Sequence, residues 1–203
     1  MILAGCDRQP VVKAPAAPAP QAVADPVPEP GVTLHQIDPA GLAAQVASLP
    51  GKVVLVDYWA TWCPPCRERF SHLVEWHKKY SSQGLVVISV ACDDKDKTDE
   101  ILAFLKEQNA TFQNLRSAFG SMEKTFEGFS IDGGALPHCK LYDRKGQLRH
   151  TFAADATEKR TFTPEDVEEA IAELLAPEKE PEKGPEKKPE EPPAKDEDSG
   201  EKP

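Results

Sequence analysis

Two cysteines separated by two prolines, Cys63 and Cys66, sit inside the stretch VVLVDYWATWCPPCRERF from Val53 to Phe70, which also contains a lone acid, Asp57. A thiolate attacks disulfides and a thiol does not, so the chemistry available here depends on what stabilises the sulfur anion. Cys63, the first of the pair, is the expected attacking sulfur. Cys66 is close enough to resolve a mixed disulfide formed at Cys63, closing an intramolecular disulfide as the substrate thiol leaves. Asp57 precedes the pair in an apolar run, where an ionised carboxylate is costly and its pKa rises. It is therefore a candidate proton acceptor for Cys66, against the plainer alternative of a hydrogen-bonded structural acid.

The elements that must position these groups can be read on either side. Val53, Leu55 and their neighbours through Ala60 are apolar without alternation, the pattern of a strand buried on both faces. Phe70, Leu73, Val74, His77 and Tyr80 recur at helical spacing, predicting a helix that begins near Cys66. Its N-terminal dipole favours a thiolate at Cys63. Pro64 and Pro65 have no N–H to donate to that sulfur, so the expected Cys63 pKa is moderate within the roughly 3.5 to 7.5 range of activated cysteines.

Around this centre the chain alternates. Val32 to Ile37 is a short strand candidate and Pro39 to Leu49 a helix broken by Pro50 and Gly51; LVVISVA, Leu85 to Ala91, is a second apolar strand. Strand, helix, strand with this crossover length implies parallel pairing. A surface helix follows, with Ile101, Leu102 and Leu105 at helical spacing. Thr111 to Leu115 and Ser121 to Phe129 are a weak strand and a weak helix. Lys140 to Tyr142 and Gln147 to Phe152 form a hairpin, and Thr163 caps a last helix to Ala176.

Composition sets the domain limits. Most of the twenty prolines in the 203 residues lie before Gly31 or after Ala176. Residues 1–31 combine a Leu-Ala-Gly-Cys sequence ending at Cys6 with a Pro/Ala-rich spacer, 32–176 form one domain, and 177–203 are a Pro/Glu/Lys tail expected to stay disordered. The Cys6 sequence resembles a bacterial lipobox, which implies lipidation of Cys6 and a membrane anchor. The net charge of −10 argues against nucleic acid as a partner.

With WCPPC between a central strand and its helix, the order βαβαβα followed by ββα resembles the thioredoxin fold: an α/β architecture with a central mixed sheet flanked by helices and disordered N- and C-terminal tails. More closely, VDYWATWCPPC is similar to the TlpA/ResA-type thiol:disulfide oxidoreductases of bacterial envelopes. That resemblance implies a redox-active Cys63–Cys66 disulfide with no bound cofactor, and Asp57 as the buried acid. It also implies a cis peptide at Leu136–Pro137, where Leu136, Pro137 and Trp62 meet substrate. Asp94, or Asp93 beside it, would be an accessory acid. Its implied setting is the periplasm or the extracytoplasmic membrane face, with protein thiols and disulfides as substrates. A dithiol electron donor, in the family typically a membrane reductase, would feed it. Reduction during cytochrome c maturation is the direction expected.

Other residues receive simpler readings. Cys92 and Cys139 are expected as free buried thiols, since the central strand would hold theirs about 9 to 10 Å apart, too far for a disulfide. Trp59 is expected in the core, Trp62 at the rim of the site and Trp76 partly exposed. The competing functions are a thiol peroxidase, which CPPC at a helix start fits poorly, and a metal-binding or metal-carrying module using Cys63, Cys66, His138 and Cys139.

Overall fold

The structure, a computed structural model, describes residues 31–120, 122–154 and 162–177. The chain divides into two units, 1–31 and 32–203, and the elements described belong to the second. Cys6, most of the Pro/Ala-rich spacer and nearly all of the Pro/Glu/Lys tail lie outside the described residues.

Among the described residues, six strands form one mixed sheet. β1 (His35–Ile37), β2 (Val53–Trp59), β3 (Leu85–Ala91), β4 (Gln113–Ser117), β5 (His138–Tyr142) and β6 (Leu148–Ala153) are ordered β1-β4-β3-β2-β5-β6. β1, β4, β3 and β2 run parallel, as the crossover lengths require. β5 and β6 close the other edge as an antiparallel hairpin, with β5 paired to β2. β2 is therefore central, and all seven of its residues are buried.

The helices cover both faces. α2 (Pro64–Tyr80), α3 (Thr98–Glu107) and α5 (Pro164–Leu175) contribute to the core that receives Val53, Leu55 and Trp59. α1 (Pro39–Ala47) and the segment after α4 (Met122–Gly128) cover the opposite face, which receives Val54, Val56 and Tyr58. This two-sided burial is the reason β2 lacks an alternating pattern. It also fixes the face of Asp57, which falls between Leu55 and Trp59 on the α2 and α5 side.

α2 begins at Pro64, which places Cys66 in its first turn, because proline's fixed φ suits a first helical turn and its missing N–H would be unpaired there in any case. One expectation requires correction. Trp76 is 2% exposed and buried, not partly open. α5 packs along α2 at this point, where Tyr80 and Lys79 of α2 both donate to Glu168. Periodicity within α2 alone could not reveal that second helix.

β1 is shorter than expected, while Val32 and Leu34 still pack against the core. β4 and α4 form where the sequence signal was weak. Buried Asn114 accounts for part of this, since its amide donates to the carbonyls of Ala110 and Phe112 and its oxygen accepts from Ser89. These bonds satisfy the polar side chains that obscured the strand.

Candidate active site

β2 ends at Trp59, and Ala60 to Trp62 carry the chain into α2. Cys63 is the N-cap residue of that helix, with extended backbone, and Pro64 and Pro65 fill its first turn. Cys63 and Cys66 are joined by a disulfide, with their Cα atoms 5.3 Å apart. Both are recessed, Cys63 at 4% exposure, whereas neighbouring Trp62 is 52% exposed and Pro64 and Pro65 are open to solvent. A partner therefore meets the indole and the prolines before it meets sulfur.

The loop ahead of Cys63 has its own anchor. Asp93, buried just beyond the end of β3, accepts from the Thr61 backbone N–H at 3.0 Å and also from the Thr61 hydroxyl. Burial raises the Asp93 pKa, and the bonds from Thr61 oppose that rise. Adjacent Asp94 is exposed. Of the two acids the sequence offered, Asp93 holds the segment between strand and dithiol and Asp94 faces solvent.

Asp57 lies beneath α2, 4% exposed. Burial raises its pKa from 3.8 to about 6, against the opposing influence of Arg69 and a hydrogen bond from Cys139. Neither partner was foreseen. Cys139 faces Asp57 across the antiparallel β2–β5 pair and donates its S–H to Asp57 Oδ1 at 2.8 Å. Arg69 Nη2 donates to Cys139 Sγ at 3.3 Å and stands 3.9 Å from Asp57 Oδ1. The Arg69 guanidinium also lies over the Phe162 ring, 4.2 Å from its centroid.

Each partner had a sequence signal. Arg69 follows Cys66 by three residues, so the two share a side of α2. Cys139 lies two residues after Pro137, on the same face of β5, and only the strand register reveals that Asp57 is its neighbour.

The Leu136–Pro137 peptide is cis, as the resemblance implied. Leu136 is half-buried and packs against the core that holds the dithiol, and Pro137 is buried with its carbonyl accepting from Ala154 N–H. His138 is buried on the opposite face of the sheet, edge-on to Tyr58. Cys92 and Cys139 are free, buried thiols, belonging to cores on opposite sides of the sheet. Among the described residues, no three His, Cys, Asp or Glu side chains are grouped to hold a metal ion.

Comparison with known proteins fits this geometry. The model of the AhpC/TSA family matches residues 23–151, more than half of the chain. The chain belongs to the AhpC/TSA family. Among curated relatives, thiol-disulfide oxidoreductase ResA of Bacillus cereus is 27% identical over 124 residues, covering 61% of this chain and 67% of the relative. Thiol:disulfide interchange protein DsbE of Pasteurella multocida is 28% identical over 109 residues, covering 54% and 55% respectively, so the match spans about half of that protein. A crystal structure from Chlorobium tepidum, described as a thiol:disulfide interchange protein DsbE, superposes with a TM-score of 0.51 at 26% identity, covering 65% of this chain and 84% of its own. This AhpC/TSA-family member has a thioredoxin-like fold and is a thiol-disulfide oxidoreductase of the ResA/DsbE type.

Proposed function

We propose that this protein reduces disulfides in protein substrates on the extracytoplasmic side of a bacterial membrane, in a role of the cytochrome c maturation kind. The observation that carries the reading is a cysteine pair at a helix start with a buried acid beneath the helix. In the reduced enzyme, the Cys63 thiolate attacks a substrate disulfide and forms a mixed disulfide as one substrate thiolate leaves. Cys66 then attacks the Cys63 sulfur, its proton passing to Asp57. The Cys63–Cys66 bond forms, the second substrate thiolate leaves and takes up a proton, and the enzyme is oxidised by two electrons as the substrate is reduced by two.

Exposed Trp62 and the cis-proline segment at Leu136 and Pro137 form the docking edge in this reading. The cysteine pair carries the redox change, so no bound cofactor takes part. An external dithiol donor, of the membrane-reductase type, must regenerate the reduced form. Lipidation at Cys6 would hold the domain at the membrane, with residues 7–31 as spacer. Among the described residues, no helix is long and apolar enough to cross a membrane.

The test uses the full chain, reduced and then mixed with insulin as a disulfide-bearing protein. The wild type is expected to reduce insulin, Cys63→Ser to be inactive, and Cys66→Ser to accumulate a mixed disulfide at Cys63 on non-reducing gels. A wild-type chain that reduces no disulfide, and instead binds one metal ion tightly in the presence of a thiol competitor, would establish the metal-carrier alternative.

A further inference from the structure

The dithiol mechanism uses Asp57 but assigns no task to the two side chains that hold it. We propose that Arg69 and Cys139 are positioning residues for proton transfer, and that the chain Arg69 N–H to Cys139 S–H to Asp57 Oδ1 orients the carboxylate and keeps it chargeable beneath the helix that carries the resolving cysteine. The inference rests on the oxidoreductase reading above and extends it to residues outside the dithiol motif.

Three observations place this unit. Cys139 stands directly opposite Asp57 in the β2–β5 register, so its 2.8 Å bond joins a cross-strand pair on one sheet face. Arg69 is three residues beyond Cys66 on the same side of α2, which brings the cation to the acid from the helix carrying the resolving sulfur. The Phe162 ring lies against the guanidinium, just ahead of α5. Arg69 is thus held between a sulfur acceptor and an aromatic face in a poorly hydrated space.

The direction of the bonds follows from charge. Burial, followed by the negative charge of Asp57, pushes the Cys139 pKa well up, so Cys139 remains a thiol and donates. A buried carboxylate that accepts S–H and faces a guanidinium is better stabilised as an anion than a bare one. The other groups around Asp57 do not offer this. β3 contributes Ser89 in register, whose hydroxyl donates to Asn114 Oδ1 instead, and, beyond its end, Cys92, a thiol that burial keeps protonated on the opposite face. α5 contributes Val167 and Ile171, which are apolar. The stabilising donor and the cation therefore come from β5 and α2.

This assigns Cys139 a role other than redox exchange. In the resolving step it neither gains nor loses electrons and remains an S–H donor. The proton released by Cys66 goes to Asp57, and the Asp57 to Cys139 bond rearranges around the neutral acid.

The test measures the pH dependence of single-turnover oxidation of the reduced full chain by a peptide disulfide. Wild type, Cys139→Ala, Cys139→Ser and Arg69→Met are compared, each also in an Asp57→Asn background. Removing the donor or the cation is expected to raise the acidic inflection of the rate profile by about one pH unit. Cys139→Ser, which keeps a hydroxyl donor, is expected to stay near wild type. In the Asp57→Asn background, the Cys139 and Arg69 changes should leave the profile unmoved. Profiles that superimpose on wild type, or shifts that persist without Asp57, overturn the inference. If Cys139→Ala does not fold, Arg69→Met and an infrared titration of the Asp57 carboxyl in the folded oxidised chain decide the matter in the same way. A wild type with no activity on any disulfide would instead defeat the oxidoreductase reading itself.

Discussion

Asp57 is the residue at which function and stability oppose each other. Its pKa is 3.8 when solvated and about 6 in the fold, with desolvation the main cause. Below pH 3.8 both folded and unfolded chains carry the proton, and no penalty arises. Between 3.8 and about 6 the folded chain keeps a proton that the unfolded chain releases, so stability falls as pH rises; above about 6 the loss is constant. The displacement corresponds to roughly 3 kcal/mol. Asp57→Asn, a neutral side chain of the same shape, is therefore expected to stabilise the oxidised chain by about 1 to 3 kcal/mol at pH 7.5, the lower figure reflecting how imperfectly an amide replaces the neutral acid beside Cys139. The gain should shrink toward zero as pH falls to 4. Urea unfolding of both chains between pH 4 and 7.5 would check this, and a constant difference across that range would rule out titration of Asp57 as its source. A residue that weakens the fold at neutral pH and lies beneath the helix carrying the dithiol, in contact with Arg69 of that helix, fits selection for proton transfer better than selection for packing.

At the scale of elements, the start of α2 decides how strongly Cys63 is activated. Cys63 is the N-cap, and the N–H groups of the second and third helical residues are those that reach an N-cap side chain. Pro65 removes one of them and Cys66 supplies the other. The reduced chain is therefore expected to show a Cys63 pKa between about 5 and 7.5, and Pro65→Ala, which restores an N–H, to lower it by roughly half to one pH unit. Ultraviolet titration of the thiolate would show both, and a wild-type value below about 5 would mean that the helix dipole outweighs the missing donors. Sequence carried this part of the site in full, because motif, prolines and helix period are all local. It also carried the strand and helix order, since runs such as LVVISVA need only their own residues to declare themselves; β3 occupies Leu85–Ala91, as expected. What it lacked was set by pairing between distant elements. The burial of Trp76 depends on α5, the hold of Asp93 rather than Asp94 on the loop depends on Thr61 across the β2–β3 boundary, and the Cys139 partner of Asp57 depends on a β2–β5 register that no local pattern encodes.

For the whole molecule, redox state and folding are linked by a thermodynamic cycle. Closing the Cys63–Cys66 bond can be done in the folded or in the unfolded chain, so the difference in folding stability between oxidised and reduced forms corresponds to the difference between the reduction potentials of the folded and the unfolded couple, with 30 mV equivalent to about 1.4 kcal/mol. A fold that strongly stabilises its thiolate makes the reduced form the more stable one, and the protein an oxidant. Here the first turn of α2 offers few donors to that thiolate, and the recessed sulfurs pack within a core shared with Trp59 and Phe70. The oxidised chain is accordingly expected to be the more stable of the two, and the couple to lie near or below roughly −250 mV. Urea unfolding with and without dithiothreitol, together with equilibration against glutathione and dithiothreitol buffers, measures both sides of the cycle independently. Greater stability in the reduced form, with a potential near roughly −120 to −180 mV, would make this protein an oxidant or isomerase and reverse the direction of electron flow proposed for it.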